Sequence, residues 1–214
     1  MATLTLDALD LAALLCSRVC HDVISPVGAI VNGLEVLEEE KDPAMQEFAL
    51  DLIRKSAKQA SARLQFARLA FGAAGSAGAA IDLGDAEAVA RGMFGDEKTT
   101  LAWSAPRALM PKNRVKLLLN LVVLATAAIP RGGAVDVLVT GDEDTTSFVL
   151  TAKGVNARIP PHAEALLSGE PEEGRVDAHG IQTFFAGLVA REAGMGVRLS
   201  LEGDTVTIRA RAER

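Results

Sequence analysis

Positive charge is scarce in this sequence, and so are long apolar runs. The chain has 22 Lys and Arg against 28 Asp and Glu, a net charge of −6. Phosphate binding needs a basic face, which argues against nucleic acid as the main partner. No continuous apolar run approaches the roughly 18–20 residues of a membrane span. The N-terminus MATLTLDALD lacks the basic region and apolar core of a signal peptide. We therefore expect a cytoplasmic protein that binds neither nucleic acid nor a membrane.

Cysteine is nearly absent. The two cysteines, Cys16 and Cys20, are one helical turn apart, so both side chains point along one helix face and a disulfide is disfavoured. Zinc needs three or four ligands, and only His21 is adjacent. We expect two buried free thiols, typical of a reducing compartment, and no metal.

The first third of the sequence predicts a helical hairpin. Apolar residues recur every three to four positions between Leu6 and Glu40, at Ala13, Cys16, Cys20, Val23, Val27, Ile30, Leu34 and Leu37. Asp42-Pro43 predicts the start of a second helix, which runs to Phe71. Each helix of an isolated hairpin buries only one stripe, so we expect two chains to form a homodimeric four-helix bundle.

A different pattern follows the small-residue segment Gly72–Ala80, which is typical of a linker. Helical periodicity predicts helices at 85–94, 113–129 and 181–194. Alternation predicts a strand at 98–104 and hairpins within 134–152 and 196–210. The predicted fold class is α + α/β: residues 1–73 form the helical hairpin, and residues 81–214 form an α/β sandwich. Its strands are mostly antiparallel, and its helices lie on one face of the sheet.

Chemistry concentrates around His21, which is one residue off the apolar stripe. A neutral imidazole carries a nitrogen lone pair and can form a covalent intermediate, and Asp22 follows it directly. Pro26 cannot donate to the carbonyl of Asp22, which predicts a kink one turn beyond the histidine. A lone helical histidine is more often structural, but the following acid, the proline and the dimerising hairpin favour a reactive one.

The segment HDVISP (21–26) resembles the H-box of sensor histidine kinases, where an acidic residue and then a proline follow a phosphoacceptor histidine. The second half resembles the kinase ATP-binding domain in outline, with departures in each nucleotide-binding segment. Leu124 stands at the magnesium-holding asparagine position, Ala152 at the adenine-reading aspartate, and Asn156 at the second glycine of that motif. The glycine-rich lid is reduced to Gly180.

An H-box on a kinase-like dimer with a damaged ATP site resembles the ChpT family of histidine phosphotransferases. CSRVCHDVISPVGAIVNGLEVLEEE (16–40) and LAFGAAGSAGA (69–79) are similar to that family's first helix and linker. The resemblance implies a relay from the receiver domain of a CckA-like hybrid kinase to CtrA-like and CpdR-like response regulators. The protein would need no cofactor of its own, and Mg²⁺ would sit on the partner receiver domain.

The same resemblance implies roles for single residues. His21 would be the phosphoacceptor, and Asp22 would assist it. The receiver would dock on the first helix at Arg18, Asp22, Ser25, Pro26 and Gly28, and on part of the C-terminal domain. Two alternatives stay open: an active histidine kinase with a divergent ATP site, and a non-catalytic dimeric adaptor in which His21 is structural.

Overall fold

The computed structural model describes residues 3–72, 80–94, 98–141, 145–171 and 174–213. Its elements, in chain order, are α1 (Ala8–Glu39), α2 (Pro43–Ala70), β1 (Ala80–Asp82), α3 (Leu83–Phe94), β2 (Thr99–Ser104), β3 (Leu109–Pro111), α4 (Lys112–Ala127), β4 (Gly133–Thr140), β5 (Ser147–Lys153), α5 (Ala163–Ser168), α6 (Ile181–Glu192), β6 (Met195–Glu202) and β7 (Thr205–Ala212).

Helices α1 and α2 form the predicted hairpin. Side-chain caps set both starts: Asp7 Oδ1 accepts from Leu9 N at 2.7 Å, and Asp42 Oδ1 accepts from Ala44 N at 3.1 Å. The helices approach closely at Gly33, where an added Cβ would lie 2.7 Å from Ile53 Cγ1. Glycine at this position therefore allows the close contact between the helices.

The apolar stripe predicted on α1 divides between two faces. Val23, Ile30 and Leu37 are half-buried, whereas a second row is exposed in the protomer. That exposed row, Cys20, Ile24, Val27, Val31 and Leu34, advances by alternating steps of four and three residues, the spacing of a helix–helix seam. Cys16 is also exposed. The expectation of buried thiols is therefore not met in the protomer, because the cysteines face away from α2.

Helix α1 has the length and composition of a membrane-spanning helix. Among the described residues it is the one helix that is long and apolar enough, with a mean hydropathy of 1.4 over 18 residues, of which 6% are buried. A continuous apolar run was the criterion applied to the sequence, and this criterion underestimated how apolar α1 is over its whole length.

The remaining elements form the α/β sandwich expected from the sequence. The five-stranded sheet has the order β2-β4-β5-β7-β6, and both predicted hairpins are present as antiparallel pairs. In β4, Val135, Val137 and Val139 are buried whereas Asp136 and Leu138 are exposed, so the helices cover one face. Strand β2 pairs with β4 in parallel. The small sheet β1-β3 was not predicted.

The hairpin shares the core of the second half of the chain. Phe66, Leu69 and Ala70 belong to one apolar cluster with α3, α4 and the sheet, and the Phe66 and Phe94 rings meet edge to face at 5.4 Å. The start of the chain joins this half as well, since Leu4 N donates to Gly169 O at 2.7 Å. The predicted boundary between residues 73 and 81 stays a prediction, and most of the proposed linker lies outside the described residues.

Candidate functional site

The imidazole of His21 is open to solvent. Its side chain is 74% exposed, and its Nδ1 lies 3.2 Å from Asp22 Oδ1. Because a carboxylate only accepts hydrogen bonds, this contact places the ring proton on Nδ1. Nε2 then carries the lone pair and is the nucleophilic atom of this tautomer.

Arg18 holds the aspartate from the preceding turn. Its Nε donates to Asp22 Oδ2 at 3.0 Å, and the two side chains are only 24% and 22% exposed. The carboxylate therefore uses one oxygen for the guanidinium and the other for the imidazole. This arrangement sets the direction of the Asp22 carboxylate, which contacts the imidazole at Nδ1.

The main chain of Asp22 is held from the other helix. Helix α1 runs through Pro26, which has no N–H for the Asp22 carbonyl, and Arg63 Nη1 of α2 donates to that carbonyl instead. Sequence reasoning identified the orphaned carbonyl but missed Arg63. The pairing of the two antiparallel helices indicates where such a donor lies. Gly33 packs level with Ala49 and Ile53, so eleven residues back along α1 and the same distance forward along α2 bring residue 22 close to residue 63.

The residues predicted to dock the receiver differ in their exposure to solvent. Ser25 is exposed, and an added Cβ at Gly28 would meet nothing within 4 Å. Both lie near His21 on an open part of α1. Pro26 is buried, so its ring offers no surface to a docking partner in this conformation. Its effect at the site comes through the helix backbone.

The two positions that the kinase resemblance assigns to holding magnesium and reading adenine carry no side-chain oxygen. Leu124 is buried at 4% exposure, and Ala152 is fully buried in β5. Asn156 keeps a left-handed backbone, with φ of 60°, at the position where the kinase motif has glycine. Asparagine tolerates this conformation better than most residues, so this backbone feature is compatible with the substitution.

Asn120 lies four residues before Leu124 in the segment that resembles the magnesium segment of the kinases, and it makes structural contacts here. It is 1% exposed, and its Nδ2 donates to Ala70 O at 3.1 Å and to Lys116 O at 2.8 Å. Ala70 is the last residue of α2, where carbonyls lack partners within the helix. Asn120 therefore joins the end of the hairpin to α4.

A cavity of about 720 Å³ remains beside these segments and extends to Arg18. Its wall combines apolar residues of α4, including Val123 and Leu124, with Asp177 and Gly180 before α6. Backbone N–H groups of Gly180 and His179 donate to the Asp177 carboxylate and lower its pKa. Over the described parts of the chain, no three His, Cys, Asp or Glu side chains group as metal ligands.

Comparison with known proteins defines the class. The model for the histidine phosphotransferase C-terminal domain matches residues 83–205. The chain therefore belongs to the histidine phosphotransferase family, and it is a phosphotransferase.

Two relatives cover nearly the full length. The chain is 52% identical over 206 residues to "Protein phosphotransferase ChpT" of Brucella abortus (strain 2308), covering 96% of this chain and 97% of that protein. A solved structure of a bacterial phosphotransferase, at 1.7 Å, is 48% identical, covers 98% of this chain and 100% of that chain, and superposes with a TM-score of 0.89. The resemblance noted in the sequence is confirmed.

Proposed function

We propose that this protein relays phosphoryl groups between receiver-domain aspartates through phospho-His21. The observation that carries the proposal is an exposed imidazole whose Nδ1 is held by Asp22 at 3.2 Å, which leaves Nε2 available. Histidine phosphotransfer needs a positioned nucleophile and a docking surface, and proximity supplies most of the acceleration.

The transfer balances without an added reactant. Nε2 attacks the phosphorus of the receiver's aspartyl phosphate, a P–N bond forms, and the P–O bond to the receiver carboxylate breaks with its electron pair. The ring keeps its Nδ1 proton and becomes cationic, so Asp22 stabilises the phosphorylated state through a charge-assisted hydrogen bond. A second receiver carboxylate reverses the step. Mg²⁺ on the receiver would neutralise the transferring phosphoryl oxygens.

The receiver docks beside His21 on α1. Ser25 is exposed and Gly28 leaves open space, so a receiver loop can approach the imidazole closely. Arg18 lines the same region but is already engaged with Asp22. The partners proposed from the family resemblance are the receiver domain of a CckA-like hybrid kinase and CtrA-like and CpdR-like response regulators.

The phosphoryl group comes from a receiver and not from ATP. Leu124 and Ala152 supply no oxygen atoms where a kinase holds magnesium and reads adenine, and both are buried. Asn120 is 1% exposed, and its Nδ2 donates to Ala70 O and Lys116 O. We propose that the protein uses no cofactor of its own.

The active form is a homodimer built on a four-helix bundle. Ile24 on α1 is 71% exposed and Phe48 on α2 is 65% exposed, although both are large apolar residues. The exposed row on α1 has seam spacing, which supports burial against a second hairpin. We further propose that the protein is cytoplasmic and that this partner hairpin, rather than lipid, covers α1.

One labelling experiment tests the function. The purified chain is mixed with radiolabelled ATP alone, and separately with a receiver domain carrying labelled aspartyl phosphate. We expect acid-labile label on the chain only in the second mixture. His21→Ala should remove it, whereas the matched control His179→Ala should keep it, because His179 is a second exposed histidine outside the His21–Asp22 contact.

The other outcomes decide the alternatives. Label from ATP alone would establish a histidine kinase with a divergent ATP site. Stable receiver binding with no label on the chain would establish an adaptor. Persistent label in His21→Ala would assign the phosphoacceptor to another residue.

A further inference from the structure

We propose that Arg63 is a positioning residue for phosphotransfer, acting by donating a hydrogen bond to the Asp22 carbonyl that Pro26 leaves without a helical donor. This inference rests on the proposed role of His21 as the phosphoacceptor. It assigns a task to a residue of α2 that does not touch the imidazole.

The first step concerns the helix backbone. In an α-helix the N–H of residue 26 would donate to the carbonyl of residue 22, and proline has no N–H. Pro26 is buried, so its ring is enclosed by the hairpin. A carbonyl without a partner in a partly buried place costs free energy and leaves its turn poorly defined.

The second step is the replacement donor. Arg63 crosses from α2, and its Nη1 donates to Asp22 O in a part-buried contact. A guanidinium donates in a fixed planar geometry, which makes the bond directional. Arg63, Arg18 and Asp22 together line a cavity of about 250 Å³ between the hairpin and the second half of the chain.

The third step connects this bond to the reacting atom. Asp22 is held at both of its acceptor groups: Arg63 binds its carbonyl, and Arg18 binds its carboxylate at 3.0 Å. The other carboxylate oxygen holds His21 Nδ1 at 3.2 Å. Loss of Arg63 frees the main chain of Asp22, and the imidazole moves with it. Misplacement of a reacting group by about 1 Å can cost on the order of 100-fold in rate.

A double-mutant cycle distinguishes positioning of Asp22 by Arg63 from a general contribution of Arg63 to the stability of the hairpin. Pro26→Ala restores an N–H at residue 26, which can donate to Asp22 O without help from Arg63. We expect Arg63→Met to slow single-turnover transfer from a phosphorylated receiver domain by about tenfold in the wild-type chain. In the Pro26→Ala background the same substitution should change the rate by less than about twofold. Arg54→Met, at an exposed arginine of α2, should change it by less than about twofold in both backgrounds.

Two results would overturn the proposal: the same slowing by Arg63→Met in both backgrounds, or no slowing in either. Should Arg63→Met fail to fold in the wild-type background, Arg63→Lys in the same two backgrounds gives the comparison, because lysine lacks the fixed guanidinium geometry. His21→Ala is run in parallel. Phosphoryl transfer that survives in His21→Ala refutes the proposed function itself. If His21→Ala abolishes transfer but Arg63→Met has the same effect on the rate in both backgrounds, only the role of Arg63 is refuted.

Discussion

Replacement of Asp22 by asparagine tests how much the acid beside the phosphoacceptor contributes. The carboxylate serves two donors, His21 Nδ1 at 3.2 Å and Arg18 Nε at 3.0 Å. An amide has a single acceptor oxygen, so Asp22→Asn can satisfy only one of them while its shape is nearly unchanged. The negative charge that would stabilise the phosphorylated, cationic ring is lost as well.

The magnitude follows from exposure. Unit charges about 4 Å apart interact by about 1 kcal/mol in bulk water and about 4 kcal/mol at an effective dielectric constant of about 20. The His21 side chain is 74% exposed, so the value lies near the water limit. A loss of about 0.5–1.4 kcal/mol corresponds to a two- to tenfold slower transfer, since about 1.4 kcal/mol is tenfold.

The assay is single-turnover transfer from a phosphorylated receiver domain at saturating receiver, followed by rapid quench. Asp51→Asn is the matched control, because Asp51 is an exposed carboxylate on α2 that pairs with Lys55 at 2.8 Å. We expect the control to transfer at the wild-type rate. An unchanged rate in Asp22→Asn would refute the orienting role. A loss of more than about 100-fold would show that Asp22 takes part in proton transfer, which this mechanism does not require.

Three further predictions concern assembly and stability. Val31→Glu places a charge in the exposed apolar row and should dissociate the homodimer, as measured by light scattering. Asn32→Glu, at the neighbouring exposed polar position, should leave the homodimer intact. If both variants stay dimeric, the dimer interface does not include this row. Asn120→Ala should lower the free energy of unfolding in urea by about 1–3 kcal/mol, since Ala70 O loses its buried donor; an unchanged midpoint would show that water replaces the amide. Asp177→Ala should destabilise the protein at pH 7. The folded state depresses the pKa of Asp177, so its contribution is present above the ordinary aspartate value and is lost as pH falls through the folded value. The unfolding midpoints of wild type and variant should therefore converge in acid, and a constant gap down to pH 2 would contradict this.

Local signals in the sequence were sufficient for much of the fold. Asp42-Pro43 marks the start of α2 because a capping carboxylate and a fixed φ act within one turn. The hairpin turning at residues 203–204 follows from alternation on either side of Gly203. Such features depend on interactions between residues adjacent in the sequence, so they can be predicted from the sequence alone.

Pairings between distant segments were less accessible. The parallel contact of β2 with β4 joins residues separated by α4, and only packing against the sheet selects it. The two faces of α1 were merged into one stripe, since periodicity does not distinguish the surface that meets α2 from the surface that remains exposed. Cys16 and Cys20 were therefore expected to be buried, and both are exposed in the protomer.

The site shows the same division. The sequence by itself determined that His21 lies beside an acid and that Pro26 withdraws a donor from the Asp22 carbonyl, because both facts follow from covalent structure and helical spacing. Only the tertiary structure decided that Arg63, 41 residues along the chain, supplies the missing donor. Its selection depends on the register and close approach of two helices, which the packing at Gly33 sets through contacts between side chains far apart in the sequence.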